Sequence, residues 1–283
     1  MNSFVKLYFN KILKNQTLKI RVELKQLTEK VCSITKEVGV FIKQESGNLN
    51  TDDIKTKSKN SLVTYVDKTA EKELVNFLST LIPEAGFIAE EGTTNKTGKE
   101  YNWVIDPLDG TTNFIHGIPT YCISIALLKN KELVLGVIYE PNQDEMFCGW
   151  KNGGAYLNGK SISVSSTKKI SDALLATGFP YYDYERIDGY LNILKWLMHG
   201  SRGIRRIGSA AIDLAYVACG RFDAFFEYSL NSWDVAAGAI IVKEAGGSIN
   251  DFEGGENYIF GREILASNLM LERELLNKIK ESF

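Results

Sequence analysis

The stretch WVIDPLDGTTNF, residues 103–114, holds two carboxylates three residues apart, Asp106 and Asp109, in a turn set by Pro107 and Gly110. The two can converge on one side of that turn. Unpaired they would repel, so the arrangement makes chemical sense around a hard divalent cation, and oxygen ligands at this density suit Mg²⁺. Gly110, Thr111 and Thr112 follow with backbone N–H groups where a helix can begin, a natural seat for a phosphate beside the metal. Asp-Pro or Asp-Gly alone is a common turn pair. The nine-residue combination DPLDGTTNF is what points to chemistry.

Other catalytic inventories are poorly represented. His116 and His199 are the only histidines, too few for a His-rich zinc site, and no G-x-S-x-G elbow presents a serine nucleophile. Cys32, Cys122, Cys148 and Cys219 are scattered with no C-x-x-C pair, and they read as buried thiols in a reducing cytosol. Any chemistry must therefore rest on carboxylates. Two further segments offer them: Glu90-Glu91 in IAEEG, which could equally be solvated loop charge, and Asp234 in SWDVAAG, which could equally be a helix N-cap.

GAYLNGKS, residues 154–161, fits the expression of a phosphate-binding P loop. That chemistry requires a strand before the glycines and a helix after the serine. Asn158-Gly159 is instead the preferred two-residue hairpin turn, and Ile162-Ser163-Val164-Ser165 alternates as a strand does, so the segment reads as a hairpin.

The elements around these residues follow from periodicity. Leu24, Leu27, Val31, Ile34, Val38 and Phe41 mark one face of a long helix, and Ala70, Leu74, Phe77, Leu78 and Leu81 mark a second that stops near Pro83. Between them GNLNTDDIKTKSKN reads as a polar loop, with Lys55, Lys57 and Lys59 placed where it could close over a site. From Tyr121 to Val164 short apolar runs alternate with turn pairs, an antiparallel meander. A strand near Leu174–Thr177, helices from Ile187 and Ser209, the strand FDAFFE, a helix from SWDVAAG, one last strand and a terminal helix complete the chain. Residues 1–22 read as an N-terminal extension, 23–166 as an α+β lobe with an antiparallel sheet, and 167–283 as a C-terminal α/β lobe.

A chain of 283 residues with 44% hydrophobic and 24% charged residues is an ordinary globular protein. Its 33 basic and 35 acidic side chains leave a net charge of −2, which argues against a general attraction to nucleic acid or to anionic membrane. Lys6, Lys11 and Lys14 interrupt every apolar run of the N-terminus, so neither a signal peptide nor a membrane span fits. The segment reads as a dispensable extension or as a basic arm that touches a partner.

DPLDGTTNF at 106–114 together with WDVAAG at 233–238 resembles the two signatures of the inositol monophosphatase family. The resemblance runs from about Leu24 to the end, through LVTYVD before Asp67, IAEEG around Glu90, and GSAAIDLAYVACGRFDAFFE ending at Glu227. It implies an α+β (mixed α/β) fold, the layered αβαβα sandwich of the sugar phosphatases, with two lobes and the site between them.

By the same resemblance Glu90, Asp106, Asp109 and Asp234, with the carbonyl oxygen of Leu108, bind two or three Mg²⁺, and Thr111, oriented by Asp67, holds the attacking water. Glu90 and Asp106 share the ion that activates this water, while Asp106, Asp109 and Asp234 share the one at the leaving oxygen. The N–H groups of Gly110 and Thr111 take the phosphate, and Asp109, Ala210, Glu227 and Asp234 read substrate hydroxyls. The activity implied is Mg²⁺-dependent hydrolysis of a phosphate monoester, inositol 1-phosphate first.

The alternatives are 3′-phosphoadenosine 5′-phosphate, fructose 1,6-bisphosphate and histidinol phosphate. Thr112-Asn113-Phe114 matches the inositol branch, where the nucleotide branch usually carries Lys-Glu-Phe. A cytoplasmic homodimer is the implied state, and a non-catalytic role beside transcription or RNA-processing machinery is the competing class.

Overall fold

The computed structural model describes residues 3–48, 55–58, 61–180 and 183–283, and side chains from residue 23 onward within those ranges, residues 55–58, 61 and 62 excepted. The first helix, α1 (Ser3–Glu45), starts well before the expected Leu24. No Gly or Pro precedes Gly39, so nothing in the chain breaks the helix where its apolar stripe begins. The expected polar loop contains a short hairpin, β1 (Lys55–Ser58) with β2 (Ser61–Val63), while Lys59 lies outside the described residues. Helix α2 (Tyr65–Leu81) follows at once. It is capped by Thr64, whose side chain accepts from the Val66 N–H while the Asp67 carboxylate accepts from the Thr64 N–H, a capping box.

A seven-stranded sheet runs in sequence order: β3 (Gly86–Ala89), β4 (Tyr101–Asp109), β5 (Cys122–Lys129), β6 (Glu132–Glu140), β7 (Glu145–Trp150), β8 (Gly154–Leu157) and β9 (Lys160–Ile162). Only β3 and β4 are parallel. The β8–β9 turn is Asn158-Gly159 with φ of 49° and 75°, so GAYLNGKS is a hairpin with a left-handed turn and no helix follows Ser161. Strand β9 ends at Ile162, short of the expected Ser165, because the Val164 N–H leaves the ladder to donate to the Ala245 carbonyl.

The second sheet has the order β11-β10-β12-β14-β13, built from β10 (Leu174–Thr177), β11 (Gly203–Arg205), β12 (Ala224–Tyr228), β13 (Ser248–Asn250) and β14 (Glu263–Ser267). Two strands therefore stand where one was expected near the end. The remaining helices are α3 (Thr111–Ile115), α4 (Ile187–Gly200), α5 (Ala210–Ala218), α6 (Ser232–Glu244) and α7 (Glu272–Ser282).

Burial resolves these elements into five layers, αβαβα. Along β5, Cys122, Ala126 and Leu128 join a core with α5, α6 and the second sheet, while Ile123, Ile125 and Leu127 join one with α1 and α2. Alternate residues of one strand thus serve opposite cores, which explains why the strand is apolar throughout. A third core lies between the second sheet, α4 and α7. Helices α5 and α6 form the middle layer and touch both sheets. Among the described residues no helix is long and apolar enough to cross a membrane.

Candidate active site

The period of two along a strand decides which side chains reach the middle layer. On β4, Val104 faces α5 and α6, so Asp106 two residues on points the same way. On β12, Phe225 faces the same layer, and Glu227 follows it. Facing carboxylates from two sheets thus enter one space, into which α3, α5 and α6 direct their N-termini. The result is a small cavity of about 130 Å³ lined by Glu90, Asp106, Asp109, Thr111, Glu227 and Asp234 among others.

The strand register shifts between Asp106 and Asp109 on β4, and this irregularity turns the second carboxylate toward the first. Asp106 is buried, and its Oδ1 accepts from the Leu108 N–H at 2.9 Å. Asp109 Oδ2 accepts from Ser209 Oγ at 2.6 Å and from the Ala211 N–H at 2.7 Å, which ties β4 to the N-terminus of α5. Asp234 is not the N-cap of α6: Asn231 caps it, and Asp234 at the third helical position accepts from the Asn231 N–H at 2.6 Å. Helix N-termini favour nearby anions, which suits both carboxylates.

Asp106, Asp109 and Asp234 each offer an oxygen within 4.8 Å of the others. Burial pushes all three carboxyls above their usual range. The neighbouring charges push further, with Glu90, Asp109 and Asp234 acting on Asp106, and Asp109 on Asp234. Asp109 is pushed up to about 6, first by burial, and the Ser209 and Ala211 hydrogen bonds hold it down. A set of hard oxygen donors that repel one another fits a divalent cation such as Mg²⁺. Glu90, delivered by β3, stands outside this trio but in hydrogen-bond contact with the Asp106 carboxyl.

Gly110 has φ of 99° and precedes α3, a left-handed position that suits glycine and lets the chain turn sharply behind Asp109. Thr111 Oγ1 lies 3.1 Å from Asp67 Oδ1 and 3.0 Å from the Leu108 carbonyl, both acceptors for its proton. Asp67 is itself buried and held by Thr64, whose N–H and Oγ1 donate to Oδ2 at 2.8 and 2.6 Å. Glu227 is buried and also pushed above its usual range, by burial and by Asp234. Ala210 opens α5 beside it.

Lys55 and Lys57 lie on the β1–β2 hairpin, and their side chains are outside the described residues. Five supporting residues were not found by sequence reasoning. Ser209 holds Asp109. Glu71 accepts from the Glu91 and Thr93 N–H groups at 2.7 Å each and so fixes the loop after Glu90. Gly178, Arg206 and Asp213 line the cavity. Asn113 belongs to the motif as a brace: Nδ2 donates to the carbonyls of Thr120 and Ile207 at 2.8 Å each, joining the first sheet's turn to the segment before α5. None of the five carries a local signature, since each acts across the fold.

The sequence model of the inositol monophosphatase family matches residues 23–282. A Pseudomonas aeruginosa protein named Nus factor SuhB is 41% identical over 250 residues, covering 87% of this chain and 92% of that protein. An inositol-1-monophosphatase of Mesorhizobium japonicum is 37% identical over 246 residues, again covering 87% and 92%. The crystal structure of the extragenic suppressor protein suhB from Bartonella henselae superimposes with a TM-score of 0.85 at 36% identity, over 91% of this chain and all of that one. On fold, motifs and these likenesses together, the chain belongs to the inositol monophosphatase family.

Proposed function

We propose that the protein is a Mg²⁺-dependent phosphate monoester hydrolase that converts inositol 1-phosphate to inositol and phosphate. The observation that carries this reading is the convergence of Asp106, Asp109 and Asp234, from β4 and α6, on one point beside the start of α3. Bound Mg²⁺ supplies two things there: acidity to a water and positive charge for the leaving oxygen. Asp106, Asp109, Asp234 and the Leu108 carbonyl hold the ions with Glu90. The Leu108 oxygen keeps a lone pair beside its contact with Thr111.

The rest of the reaction belongs to the chain. The Thr111 hydroxyl donates its hydrogen bond to Asp67 or to the Leu108 carbonyl, so its oxygen is left to accept from the attacking water and aim it. Asp67, held by Thr64, keeps that hydroxyl in one orientation. The Gly110 and Thr111 N–H groups hold the phosphate oxygens as charge grows on them. Glu227 and the start of α5 at Ala210 face the polyol, where a carboxylate accepts two hydroxyl hydrogen bonds and would lose them with a substrate lacking those groups. The water oxygen bonds phosphorus as the P–O ester bond breaks, one of the water's protons ends on the leaving ester oxygen, and no covalent phospho-enzyme forms.

Phosphate release from inositol 1-phosphate, 3′-phosphoadenosine 5′-phosphate, fructose 1,6-bisphosphate and histidinol phosphate, with and without Mg²⁺, tests this. Metal-dependent release led by inositol 1-phosphate and lost in Asp106→Asn is expected. Another ester in the lead changes the substrate, and release from none removes the hydrolase reading. A second reading, contact with transcription machinery, is favoured by the name of the P. aeruginosa relative. It predicts that the full chain captures RNA polymerase and, if the basic arm makes that contact, that a chain lacking residues 1–20 loses the capture while hydrolysis stays intact. Equal capture by both chains would remove the arm from that role.

A further inference from the structure

We infer that Gly178 is a specificity-determining residue whose bare α-carbon is the seat on which the Glu227 carboxylate lies. The inference rests on the proposed role of Glu227 toward substrate hydroxyls. Strands β10 and β12 are parallel with Thr177 opposite Phe226, so the next residues along, Gly178 and Glu227, stand side by side at the cavity. A Cβ at 178 would come within 3.0 Å of the Glu227 Cδ and of both its oxygens. The carboxylate therefore lies flat against the glycine. The φ of Gly178 is outside the left-handed range, so an alanine suits the backbone there and only the space forbids it.

The strand end just before 178 is anchored. Thr177 Oγ1 donates to the Phe226 carbonyl at 2.8 Å and lies 3.1 Å from the Tyr190 hydroxyl, pinning the strand end to β12 and α4. On the other side the Phe179 ring lies 5.4 Å from the Arg206 guanidinium, the only basic group among the described residues that line the cavity. A side chain at 178 therefore meets the end of Glu227 first, whose Cδ and two oxygens are the three nearest atoms to it. A displaced Glu227 carboxylate no longer stands where a polyol would meet it in the parent.

The test compares Gly178→Ala with the parent on two esters, inositol 1-phosphate and 4-nitrophenyl phosphate, whose ring has no hydroxyl for Glu227 to accept from. The variant should lose roughly tenfold to a hundredfold in kcat/KM on inositol 1-phosphate, mostly through KM, and stay within about twofold on the nitrophenyl ester. In the Glu227→Ala background the same substitution should cost nothing further, since its target is gone. Undiminished selectivity in Gly178→Ala, or losses that multiply in the double variant, overturns the inference.

If Gly178→Ala loses both activities, the double variant decides. Recovered nitrophenyl ester hydrolysis identifies the clash with Glu227 as the cause, and a double variant that stays inactive overturns the inference. If the parent prefers another hydroxylated ester, that ester replaces inositol 1-phosphate and the substrate reading alone changes. If the parent releases phosphate from no hydroxylated ester, the proposed function falls and this inference falls with it.

Discussion

Replacing Ser209 with alanine tests how the second sheet's helix tunes a carboxylate on the first. Ser209 Oγ donates to Asp109 Oδ2 at 2.6 Å, and a hydrogen bond to a charged group contributes about 1.5–3 kcal/mol. The Ala211 N–H remains as a second donor, so the lower end of that range applies. Since one pKa unit corresponds to about 1.4 kcal/mol, Asp109 protonation should move from about 6 in the parent to roughly 7 in the variant. At pH 6 the ionised fraction then falls from about one half to about one tenth, and at pH 8.5 both proteins are ionised.

On the proposed reading Mg²⁺ and the proton compete for this carboxylate, so the parent-to-variant affinity ratio should be about fivefold larger at pH 6 than at pH 8.5. Mg²⁺ titration by calorimetry at the two pH values measures it. Ser209→Thr keeps the hydroxyl and should behave as the parent. Ser209 also caps α5, accepting from the Ile212 N–H, so the alanine variant should additionally lose about 1 kcal/mol of stability at every pH. An affinity ratio equal at both pH values would refute the account of Asp109.

Other consequences follow from the same geometry. Asp106, Asp109 and Asp234 keep their protons to higher pH when folded than when unfolded, so the metal-free protein should lose stability as pH rises above about 4, with the Asp109 contribution lost through about 6. The Mg²⁺-induced rise in Tm should correspondingly grow between pH 5 and pH 8, and a constant rise would contradict this. Glu71→Gln weakens the clamp on the Glu91 and Thr93 N–H groups, so it should cost about 2 kcal/mol and raise the Mg²⁺ needed for half-maximal rate; an unchanged metal dependence would count against it. Asn113→Ala leaves the Thr120 and Ile207 carbonyls without their shared donor and should cost about 2–4 kcal/mol in urea unfolding, where a change below 1 kcal/mol would show that the brace is dispensable.

What could be read from the chain depended on whether its signal was local. DPLDGTTNF is dense enough to place two carboxylates and a helix start within nine residues, and the Asn158-Gly159 turn alone marks GAYLNGKS as a hairpin. Strand β5 was visible as an apolar run, but that both its faces are buried follows only from the layers it separates. The short strands β3 and β11 are too brief for any period to show. Ser209, Glu71 and Gly178 escaped because their partners lie in distant segments: Asp109, the loop after Glu90, and Glu227. A serine before a helix is an ordinary cap until its hydroxyl is seen to face a carboxylate from another sheet.

The most direct test of the whole account is the Mg²⁺ dependence of phosphate release from inositol 1-phosphate in the parent and in Asp234→Asn, the residue that only the fold brings to Asp106 and Asp109. The account predicts saturable Mg²⁺-dependent release in the parent and a loss of roughly a hundredfold or more in the variant at a fixed Mg²⁺ concentration, with folding unchanged. Release that ignores Mg²⁺, or that survives in Asp234→Asn, would contradict it.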